Sequence, residues 1–414
     1  MEMPAPDRAV IARRTEIAAT LRRIVRGEGV IDALSERRAY ESDGLTAYRQ
    51  PPLLVVLPST VDEVAAVLRY CKAAGIKVVP RGAGTSLSGG ALPLADGILL
   101  GMAKFNRILD IDYDNRAVVA QPGVPNLAIS QAVESAGFYY APDPSSQIAC
   151  TIGGNVAENS GGVHCLKYGV TTNNILGLEM VLMGGEIVRL GGKHCDSEGY
   201  DLLGVMAGSE GLLGVVTEVT VRILKKPATA RALLIGFAAT EDAGNCVAAV
   251  ISAGIIPGGM EMMDRPAIHA AEDFVKVGYP RDAEALLIVE LDGPAVEVDH
   301  LVDRVAAIAR DNHAQSLRAS RDEAERLAFW SGRKAAFPAV GRISPDYYCM
   351  DGTIPRGRLA EVLKKIAAMS ERFGLAVANV FHAGDGNLHP LILYDANKPG
   401  ELERAEAFGA DILT

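Results

Sequence analysis

The segment Phe381–Pro390 places two of the chain's seven histidines on either side of an Asp-Gly pair, between two apolar runs typical of β-strands. An Asp-Gly pair between such runs favours a two-residue type I′ turn. With Asp385 and Gly386 as the turn, His382 lies directly opposite His389. Directly opposed residues of an antiparallel pair project to one face, with Cβ atoms about 4.5–5.5 Å apart. The sequence therefore predicts a β-hairpin that carries two adjacent imidazoles.

Two adjacent imidazoles are suited to share one divalent ion, with zinc, manganese and iron as the candidate metals. A structural zinc takes four ligands and a catalytic one at least three with an open position, so His382 and His389 need a third ligand from elsewhere in the fold. Asp385 is expected to be a turn residue and not that ligand. The alternative is a pair of turn-flanking histidines packed in a sheet, and the spacing alone leaves both open.

The chain has 414 residues, of which 49% are hydrophobic, and no internal repeat, so it is long enough for two or three domains with complete cores. Its formal net charge of −10 argues against a nucleic-acid-binding protein, which needs clustered excess Lys and Arg. No apolar stretch approaches the ~18 residues that span a bilayer, and the N-terminus lacks the layout of a signal peptide. These features predict a cytoplasmic protein without a transmembrane segment.

The six cysteines are scattered without a C-x-x-C pair. Neither a disulfide framework nor an iron–sulfur cluster is therefore indicated. They are predicted to be small buried hydrophobic side chains or inert thiols, at Cys71, Cys150, Cys165, Cys195, Cys246 and Cys349.

The first part of the chain shows helical periodicity over residues 8–26 and then a strand at 53–57, a helix and a strand at 76–80. Thr60 and Glu63 have the spacing of a capping box, which predicts that the helix starts there and runs to Gly75. After residue 90 strands outnumber helices, with one clear helix at 125–136 and strands at 97–101, 107–112, 117–121, 176–183, 186–190 and 214–224. The pattern predicts an α+β domain and not a doubly wound sheet.

The Lys225-Lys226-Pro227 segment is predicted to be a domain boundary, because the pattern of elements restarts after it. The predicted domains are residues 1–226, with a core from about residue 48, and residues 227–414. The second domain is predicted to contain strands at 231–237, 285–292, 346–350, 375–382 and 389–394, and helices at 240–253, 296–310, 322–337 and 356–372.

The loop at residues 82–90 follows a strand and consists almost entirely of small residues. Successive amides without bulky side chains form a concavity that binds phosphate, and Thr85 and Ser86 add hydroxyl donors. The loop fails as a Rossmann fingerprint because Leu87 stands where the third glycine belongs, and the chain contains no P-loop motif. The alternative is a tight surface connection.

Further glycine and small polar residues recur through the first domain, at 142–146, 151–155, 159–162, 167–169 and 208–214. So many small positions in one domain indicate a long groove in which the backbone approaches a large polar ligand closely.

These glycine-rich segments, in this order and together with the 381–390 motif, resemble the FAD-linked 2-hydroxy-acid dehydrogenases of the vanillyl-alcohol-oxidase type, among them glycolate oxidase flavoproteins and D-lactate dehydrogenases. The resemblance covers almost the whole chain. It implies an α+β fold in which an FAD-binding domain is followed by an α/β substrate domain.

The resemblance also implies which residues bind FAD, with the pyrophosphate on loop 82–90 and the ring beside the last glycine-rich segment. Because Thr85 stands in the region where related oxidases attach flavin covalently to a histidine, FAD is expected to be non-covalent. The implied cofactor residues are Arg81, Gly82, Ala83, Gly84, Thr85, Ser86, Gly89, Gly90, Pro142, Ser145, Ser146, Gly153, Gly154, Asn155, Ser160, Gly161, Tyr168, Glu210, Gly211, Gly214, Val215 and Val216.

The implied reaction is oxidation of a small D-2-hydroxy acid, glycolate or D-lactate, to the 2-oxo acid by hydride transfer to FAD. Arg333 matches the family's substrate-binding arginine and would hold the carboxylate, whereas the alternative is an exposed arginine near a helix end. A metal on His382 and His389 would polarise the hydroxyl. The residue Cys349 lies near the position of a lysine in 2-hydroxyglutarate enzymes, which disfavours a dicarboxylate substrate.

The resemblance implies partners as well: an iron–sulfur subunit or quinone as electron acceptor, a second copy of the chain, and peripheral attachment to the inner membrane through those partners. The family's later Gly-Glu-His segment, which supplies a third metal ligand and a base, does not occur before Thr414. This departure from the family favours a second hypothesis, in which the chain is a non-catalytic or truncated FAD-binding subunit of a larger oxidase complex. Uncovered apolar surface, poor solubility or tight oligomerisation would accompany such a truncation. A flavin-linked alcohol or sugar oxidase is disfavoured because Arg333 suits a carboxylated substrate.

Overall fold

The computed structural model describes residues 3–194 and 199–414. The chain divides into two compact units, of which the first is Met1–Gly162 with Gly169–Lys226. The second is Pro227–Thr414 with the short segment Val163–Tyr168. This segment is therefore part of the second unit although its neighbours on both sides in sequence are part of the first.

The first unit contains eleven strands among the described residues, and its helices are short apart from α2 and α4. The strands are β1 (Val30–Ile31), β2 (Leu54–Val56), β3 (Lys77–Arg81), β4 (Gly97–Gly101), β5 (Ile108–Asp112), β6 (Ala117–Ala120), β7 (Phe138–Tyr139), β8 (Ile175–Val181), β9 (Ile187–Gly191), β10 (Val215–Arg222) and β11 (Leu224–Lys225). The helices, together with α7 of the second unit, are α1 (Arg8–Ala12), α2 (Arg14–Ile24), α3 (Leu34–Arg37), α4 (Val61–Ala74), α5 (Asn126–Val133), α6 (Ile152–Glu158), α7 (Cys165–Tyr168) and α8 (Leu202–Met206).

Two main sheets organise the first unit. The first has the order β1-β2-β4-β3, in which β4 runs parallel to both β2 and β3. The second has the order β5-β6-β10-β8-β9 and is antiparallel throughout. The Thr60 Oγ1 accepts from the Glu63 amide at 3.2 Å, and the Glu63 side chain accepts from the Ser59 amide at 2.6 Å, so α4 starts where the capping residues predict. The α+β prediction is confirmed.

Each sheet of the first unit has its own buried apolar cluster. Leu54, Val56, Ile98 and Leu100 of the first sheet pack with residues of α2 and α4. The second sheet packs with α5 and α6. The glycine-rich loop 82–90 leaves β3, and therefore starts from the edge of a sheet that is packed on apolar residues.

The second unit contains longer elements. Its strands are β12 (Thr229–Phe237), β13 (Gly259–Asp264), β14 (Ala285–Gly293), β15 (Ala314–Ala319), β16 (Asp346–Cys349), β17 (Gly352–Thr353), β18 (Val377–His382), β19 (Asn387–Leu388) and β20 (Pro390–Tyr394). Its helices besides α7 are α9 (Thr240–Ser252), α10 (Arg265–Val275), α11 (Ala295–Asp311), α12 (Glu323–Val340), α13 (Leu359–Phe373) and α14 (Glu401–Ile412).

One antiparallel sheet with the path β15-β12-β14-β13-β18-β19-β17 dominates this unit, and β20 pairs with both β18 and β16. Residues of β13 and β14 such as Met260, Met262, Leu287 and Val289 face α9 and α11 in the apolar core. Since alternate residues of a strand face opposite sides, Glu261 and Glu290 face the other side, where they contact α12. The sequence patterns did not predict β13, α10 or β15.

The five described cysteines, at 71, 150, 165, 246 and 349, are buried and carry free thiols. Burial raises the pKa of the Cys71 and Cys246 thiols to about 12 each, so both are unreactive at neutral pH. The sixth, Cys195, lies outside the described residues. Within residues 3–194 and 199–414, no helix is both long enough and apolar enough to cross a bilayer.

Candidate active site

The hairpin at 381–390 forms, but its predicted register is wrong. The structure pairs His382 with Asn387, so four residues form the connection instead of two. Gly386 has a positive φ of 82° and Asp385 does not, whereas a type I′ turn requires positive φ at both positions. Asp385 Oδ1 accepts instead from the Asn387 amide at 3.1 Å, and the Gly386 amide donates to the His382 carbonyl at 3.2 Å. Asp385 is therefore a turn residue, as predicted.

The two imidazoles are nevertheless neighbours. Their ring centroids are 5.2 Å apart and the ring planes are inclined at 86°. His389 lies between two short strands: Leu388 pairs with β17, while Pro390 begins β20 and pairs with Asn379 of β18. The bend between these pairings places the His389 ring beside His382. The two histidines are not directly opposed in a regular β-ladder.

A buried glutamate joins His382 to Arg333. Glu261, which is 1% exposed, lies directly opposite His382 in the pairing of β13 with β18. Its Oε1 is 2.6 Å from His382 Nδ1, and its Oε2 accepts from Arg333 Nε at 2.8 Å and lies 2.7 Å from Nη2. The sequence did not single out Glu261, although a charged residue inside the apolar run 259–263 is a signal that it is paired.

The predicted substrate-binding residue Arg333 is buried in α12 and 3% exposed. The alternative of an exposed arginine near a helix end is therefore wrong. The same face of α12 carries Trp330 and Arg326 toward Glu290, and Phe337 toward His389 with ring centroids 6.4 Å apart. Because these residues are three or four positions apart, they form one stripe along the polar face of the sheet.

The two histidines are in different electrostatic environments. Burial lowers the pKa of His382, but the charge of Glu261 and its hydrogen bond outweigh burial, so the pKa is raised. Burial and the charges of His382 and Arg333 hold the pKa of His389 well below its ordinary value. Within the described chain, His389 Nδ1 is buried and has no hydrogen-bond partner, because Asp351 Oδ1 at 3.6 Å is too distant. His389 is therefore neutral at pH 7 with a nitrogen lone pair available.

These two imidazoles fit part of a metal site. His382 keeps Nε2 free of Glu261, and the buried His389 Nδ1 lacks a proton-sharing partner, as expected of nitrogens that could bind an ion. Over residues 3–194 and 199–414, however, no three His, Cys, Asp or Glu side chains converge to hold a metal. In the described part of the chain, the two predicted ligands are therefore neighbours without a third beside them.

A second buried carboxylate, Glu290, lies on the neighbouring strand. Its oxygens contact His164 Nε2 at 3.1 Å, Arg326 Nη1 at 2.5 Å and Trp330 Nε1 at 2.5 Å. Two residues further along β14, Asp292 accepts from Lys167 Nζ at 2.7 Å and from the Tyr168 hydroxyl. The segment 163–168 is thereby anchored to β14. Tyr168, a predicted cofactor residue, is part of the second unit.

The phosphate-loop candidates begin at Arg81 in β3. Its guanidinium donates to the carbonyls of Tyr40 at 3.0 Å and Ser42 at 2.5 Å, so it braces the backbone around the loop. A Cβ at Gly84 would lie 2.2 Å from Arg81 Nη2, and Gly84 has a φ of 71°. Only glycine is suited to that position. Ala83, Thr85, Ser86, Gly89 and Gly90 complete the loop.

The loop meets the start of α6. A Cβ at Gly82 would lie 2.3 Å from Thr151 Oγ1, which caps α6 through the Gly154 amide. On the next stretch of α6, the buried Asn155 accepts from Asn126, which also donates to the Pro142 carbonyl. These contacts bring the candidates Gly82, Pro142, Gly154 and Asn155 together.

Of the remaining candidates, Glu210 and Gly211 lie beside the loop or the strand before it. A Cβ at Gly90 would lie 2.6 Å from Glu210 Oε2, and a Cβ at Gly211 would lie 2.5 Å from Pro80. The Ser160 carbonyl accepts from the Thr171 amide at 3.0 Å, next to Gly161. Gly214, Val215 and Val216 lie at the start of β10, where the two valines pair with β8. Apart from Tyr168, the predicted cofactor residues therefore lie in the first unit.

Two family models match separate parts of the chain. A family model described as "FAD binding domain" matches residues 52–191, and one described as "FAD linked oxidases, C-terminal domain" matches residues 226–414. The chain is 58% identical over 400 residues to glycolate oxidase subunit GlcD of Escherichia coli strain K12, which covers 97% of this chain and 80% of that protein. It is 31% identical over 388 residues to D-lactate dehydrogenase of Anaerostipes hadrus, covering 92% and 81%.

Two solved structures share the fold at low sequence identity. The p-cresol methylhydroxylase structure with substrate bound has a TM-score of 0.81 at 15% identity, and covers 99% of this chain and 88% of that chain. An alkyldihydroxyacetonephosphate synthase structure has a TM-score of 0.77 at 17% identity, and covers 100% and 81%. With its two family domains and its similarity to these relatives over nearly its full length, the chain belongs to the FAD-linked oxidases and is a flavin-dependent oxidoreductase.

Proposed function

We propose that the chain oxidises a small D-2-hydroxy acid, glycolate or D-lactate, to the corresponding 2-oxo acid. The observation that carries the proposal is the buried Arg333 connected through Glu261 to His382, with His389 beside it. A buried guanidinium is suited to a carboxylate, and an imidazole next to it is suited to the hydroxyl. Relatives named glycolate oxidase subunit GlcD and D-lactate dehydrogenase support the same substrate class.

FAD, held without a covalent bond, is the proposed cofactor of residues 1–226, and residues 227–414 are the proposed substrate domain. When bound, FAD supplies the acceptor for the α-hydrogen and two electrons. The supporting observation is the close approach of backbone around the glycine-rich loop, where a side chain at Gly82 or Gly84 would collide with Thr151 or Arg81. The proposed contacts are those predicted from the sequence, with Arg81 bracing the loop.

Three residues of the second unit, Arg333, His382 and His389, have distinct proposed roles. Arg333 binds the substrate carboxylate and so orients the α-carbon. His389, neutral and with an unpartnered nitrogen, accepts the hydroxyl proton. His382, held by Glu261 through Nδ1, binds the hydroxyl side of the substrate through Nε2. Arg333 is buried and both histidines are partly buried, which limits the access of water to the reacting carbon.

A divalent ion, zinc, manganese or iron, is proposed on His382 and His389 as the alternative to the proton-accepting role, because a His389 nitrogen that binds an ion cannot also accept the hydroxyl proton. It would supply Lewis-acid chemistry to the substrate hydroxyl. Two free imidazole nitrogens support the proposal, and a third ligand would be needed to complete the site.

The electron acceptor is proposed to be another subunit, an iron–sulfur protein, or a quinone. The support is that the relative from Escherichia coli is named as a subunit. Such a partner would also bring a cytoplasmic protein to the inner membrane, and a homodimer is the proposed assembly of the chain itself.

The test is flavin reduction. Purified protein loaded with FAD should be yellow, and anaerobic addition of glycolate or D-lactate should bleach it, whereas L-lactate and ethylene glycol should not. Ethylene glycol lacks the carboxylate that Arg333 would bind, so it is a matched control for carboxylate binding by Arg333. A colourless protein after FAD loading, or equal bleaching by ethylene glycol, would contradict the proposal.

The second candidate function is a non-catalytic FAD-binding subunit. The observation in its favour is that, of the three ligands that the metal hypothesis needs, the described residues bring together two. It predicts a yellow protein that no hydroxy acid bleaches, with or without added zinc or manganese. Bleaching by the chain alone would exclude it.

A further inference from the structure

The carboxylate of Glu261 has two partners that the proposed reaction uses for different ends of the substrate. Oε1 lies 2.6 Å from His382 Nδ1, and Oε2 receives both Nε and Nη2 of Arg333. The carboxylate is almost completely buried, so each oxygen serves one partner and neither is shared with bulk water. A single residue therefore sets the separation of the guanidinium and the imidazole.

The backbone around Glu261 leaves it little freedom to move. It occupies the middle of β13, opposite His382 of β18 on one side and Ile288 of β14 on the other. Residues that are opposed in an antiparallel pair project to the same face at a fixed separation. The carboxylate is consequently a rigid reference point, unlike a glutamate on a loop.

The bond to Nδ1 determines which nitrogen of His382 is available. In the neutral ring one nitrogen carries the proton and the other carries the lone pair. A carboxylate accepts only, so the proton lies on Nδ1 and the lone pair is on Nε2. Arg333 is constrained in the same way, because Glu261 takes the Nε edge and leaves the Nη1 end for another anion.

We propose that Glu261 is a positioning residue for 2-hydroxy-acid oxidation, which holds the carboxylate-binding arginine and the hydroxyl-binding imidazole at the separation of two adjacent substrate carbons. The inference rests on the proposed function and adds a residue and a tautomer to it. A 2-hydroxy acid carries its carboxylate and hydroxyl on neighbouring carbons, so both binding groups must be fixed together. Glu261 itself does not touch the substrate.

The Glu261→Gln variant keeps the shape but cannot satisfy both partners. If its amide nitrogen faces His382, the ring must accept at Nδ1 and carry its proton on Nε2. If the amide nitrogen faces Arg333, two donors oppose each other. Either orientation disrupts one half of the arrangement.

The neighbouring strand offers a matched control in Glu290→Gln. Glu290 is an equally buried glutamate that contacts the same face of α12, with His164, Arg326 and Trp330 as its partners. Its replacement should lower stability to a similar degree. It should leave the His382 tautomer and substrate-analogue binding unchanged.

The first measurement is long-range ¹H–¹⁵N spectroscopy of the full chain, FAD-loaded, metal-depleted and labelled with ¹⁵N-histidine, at a pH where the rings are neutral. The His382 signals are assigned by their loss in His382→Gln. Wild-type protein should show the Nδ1–H tautomer, and so should Glu290→Gln. An Nε2–H tautomer in the wild type would overturn the inference. This measurement needs no Glu261 variant, so the test remains possible if Glu261→Gln fails to fold.

The second measurement is oxalate binding, followed by the change in flavin absorbance. In Glu261→Gln we expect the affinity for oxalate to fall by roughly tenfold or more, as for other residues that orient a functional group. The tautomer of His382 should also change. Glu261→Asp, which keeps the charge but shortens the reach, should keep the tautomer and lose affinity. Equal oxalate affinity and an unchanged tautomer in Glu261→Gln, with the same loss of stability as Glu290→Gln, would show a purely structural role.

These readouts separate the two proposals. Tautomer and oxalate affinity need no turnover, whereas the proposed function is tested by bleaching of the wild-type flavin. A wild-type protein with the expected tautomer that glycolate and D-lactate fail to bleach would contradict the function and not the arrangement around Glu261.

Discussion

The rings of His382 and His389 approach to 5.2 Å between centroids although the two residues are not partners in the β-ladder. His382 ends β18, whereas His389 lies in the bend between β19 and β20. The Asp-Gly turn that suggested their proximity has a different form, with Gly386 alone at positive φ. The neighbourhood of the two imidazoles is thus a property of how three short strands meet.

Replacing Arg333 by lysine should impair oxidation of hydroxy acids while leaving FAD binding intact. Lysine offers a point charge in place of the guanidinium fork, and loss of one hydrogen bond to a charged group costs about 1.5–3 kcal/mol, or roughly 10- to 100-fold in rate. The measurement is the rate of anaerobic flavin bleaching by D-lactate. Arg326→Lys on the same helix is the control and should retain activity, because its partners are Glu290 and Glu323. Equal losses in both variants would contradict the assignment of the clamp.

Replacing Gly82 by alanine should weaken FAD binding. The added Cβ would lie 2.3 Å from Thr151 Oγ1, so Thr151 must move and the loop must shift with it. The measurement is FAD affinity by fluorescence titration of the FAD-free protein. Gly357→Ala is the control, because a Cβ there meets nothing within 4 Å.

The same collision offers a second comparison. In a Thr151→Ala background the obstacle is gone, so Gly82→Ala should cost less affinity there than in the wild type. An identical cost in both backgrounds would show that Thr151 is not the group displaced.

Chelation tests the proposed ion on the histidine pair. Protein treated with a chelator should remain yellow, since the cofactor candidates other than Tyr168 lie in the first unit, and should be bleached more slowly by glycolate. Zinc or manganese should restore the rate in the wild type and not in His382→Asn. A bleaching rate that is indifferent to chelator would remove the metal from the proposal and leave the roles of Arg333 and His389 untouched.

Glu290 should make stability depend on pH in the acid range. Burial alone would raise its pKa, but the hydrogen bond and charge of His164, the charge of Arg326 and the bond from Trp330 lower it to about 2. Because this pKa lies below the ordinary 4.5, the ionised group stabilises the fold above pH 4.5, and the stabilisation is lost as pH falls toward 2. Its size is at most roughly 3 kcal/mol.

The measurement is the urea-unfolding free energy of wild type and Glu290→Gln between pH 7 and pH 3. The variant should be less stable at pH 7, and the gap should narrow on acidification. The exposed Glu241→Gln is the control and should show no such convergence. A gap that stays constant or widens toward pH 3 would contradict the sign of the shift.

Most regular elements could be predicted from periodicity, because their apolar faces repeat with the helix or strand period. The capping pair Thr60 and Glu63 marks the start of α4 correctly. Strand β13 escaped prediction because Met260, Met262 and Met263 give no clear alternation around Glu261. Since both faces of this strand are buried, its sequence does not alternate between polar and apolar residues.

The candidate site could be predicted where a residue's type and its neighbours in sequence indicate its chemical role. His382 and His389 were identified in this way and Arg333 through the family resemblance, and the structure places Arg333 and His382 on one carboxylate with His389 adjacent. Glu261, Glu290 and the anchoring of segment 163–168 were not identified, because their partners are between 36 and 126 residues away in sequence.

By itself, the sequence determined the division into a glycine-rich α+β half and a second half with an arginine and two histidines, since composition, spacing and turn residues act locally. Only the tertiary structure decided which buried carboxylate holds Arg333 and His382, and how His389 reaches its neighbour. Those choices depend on strand register and on the balance between burying a charge and pairing it, and neither quantity is a property of a short stretch of chain.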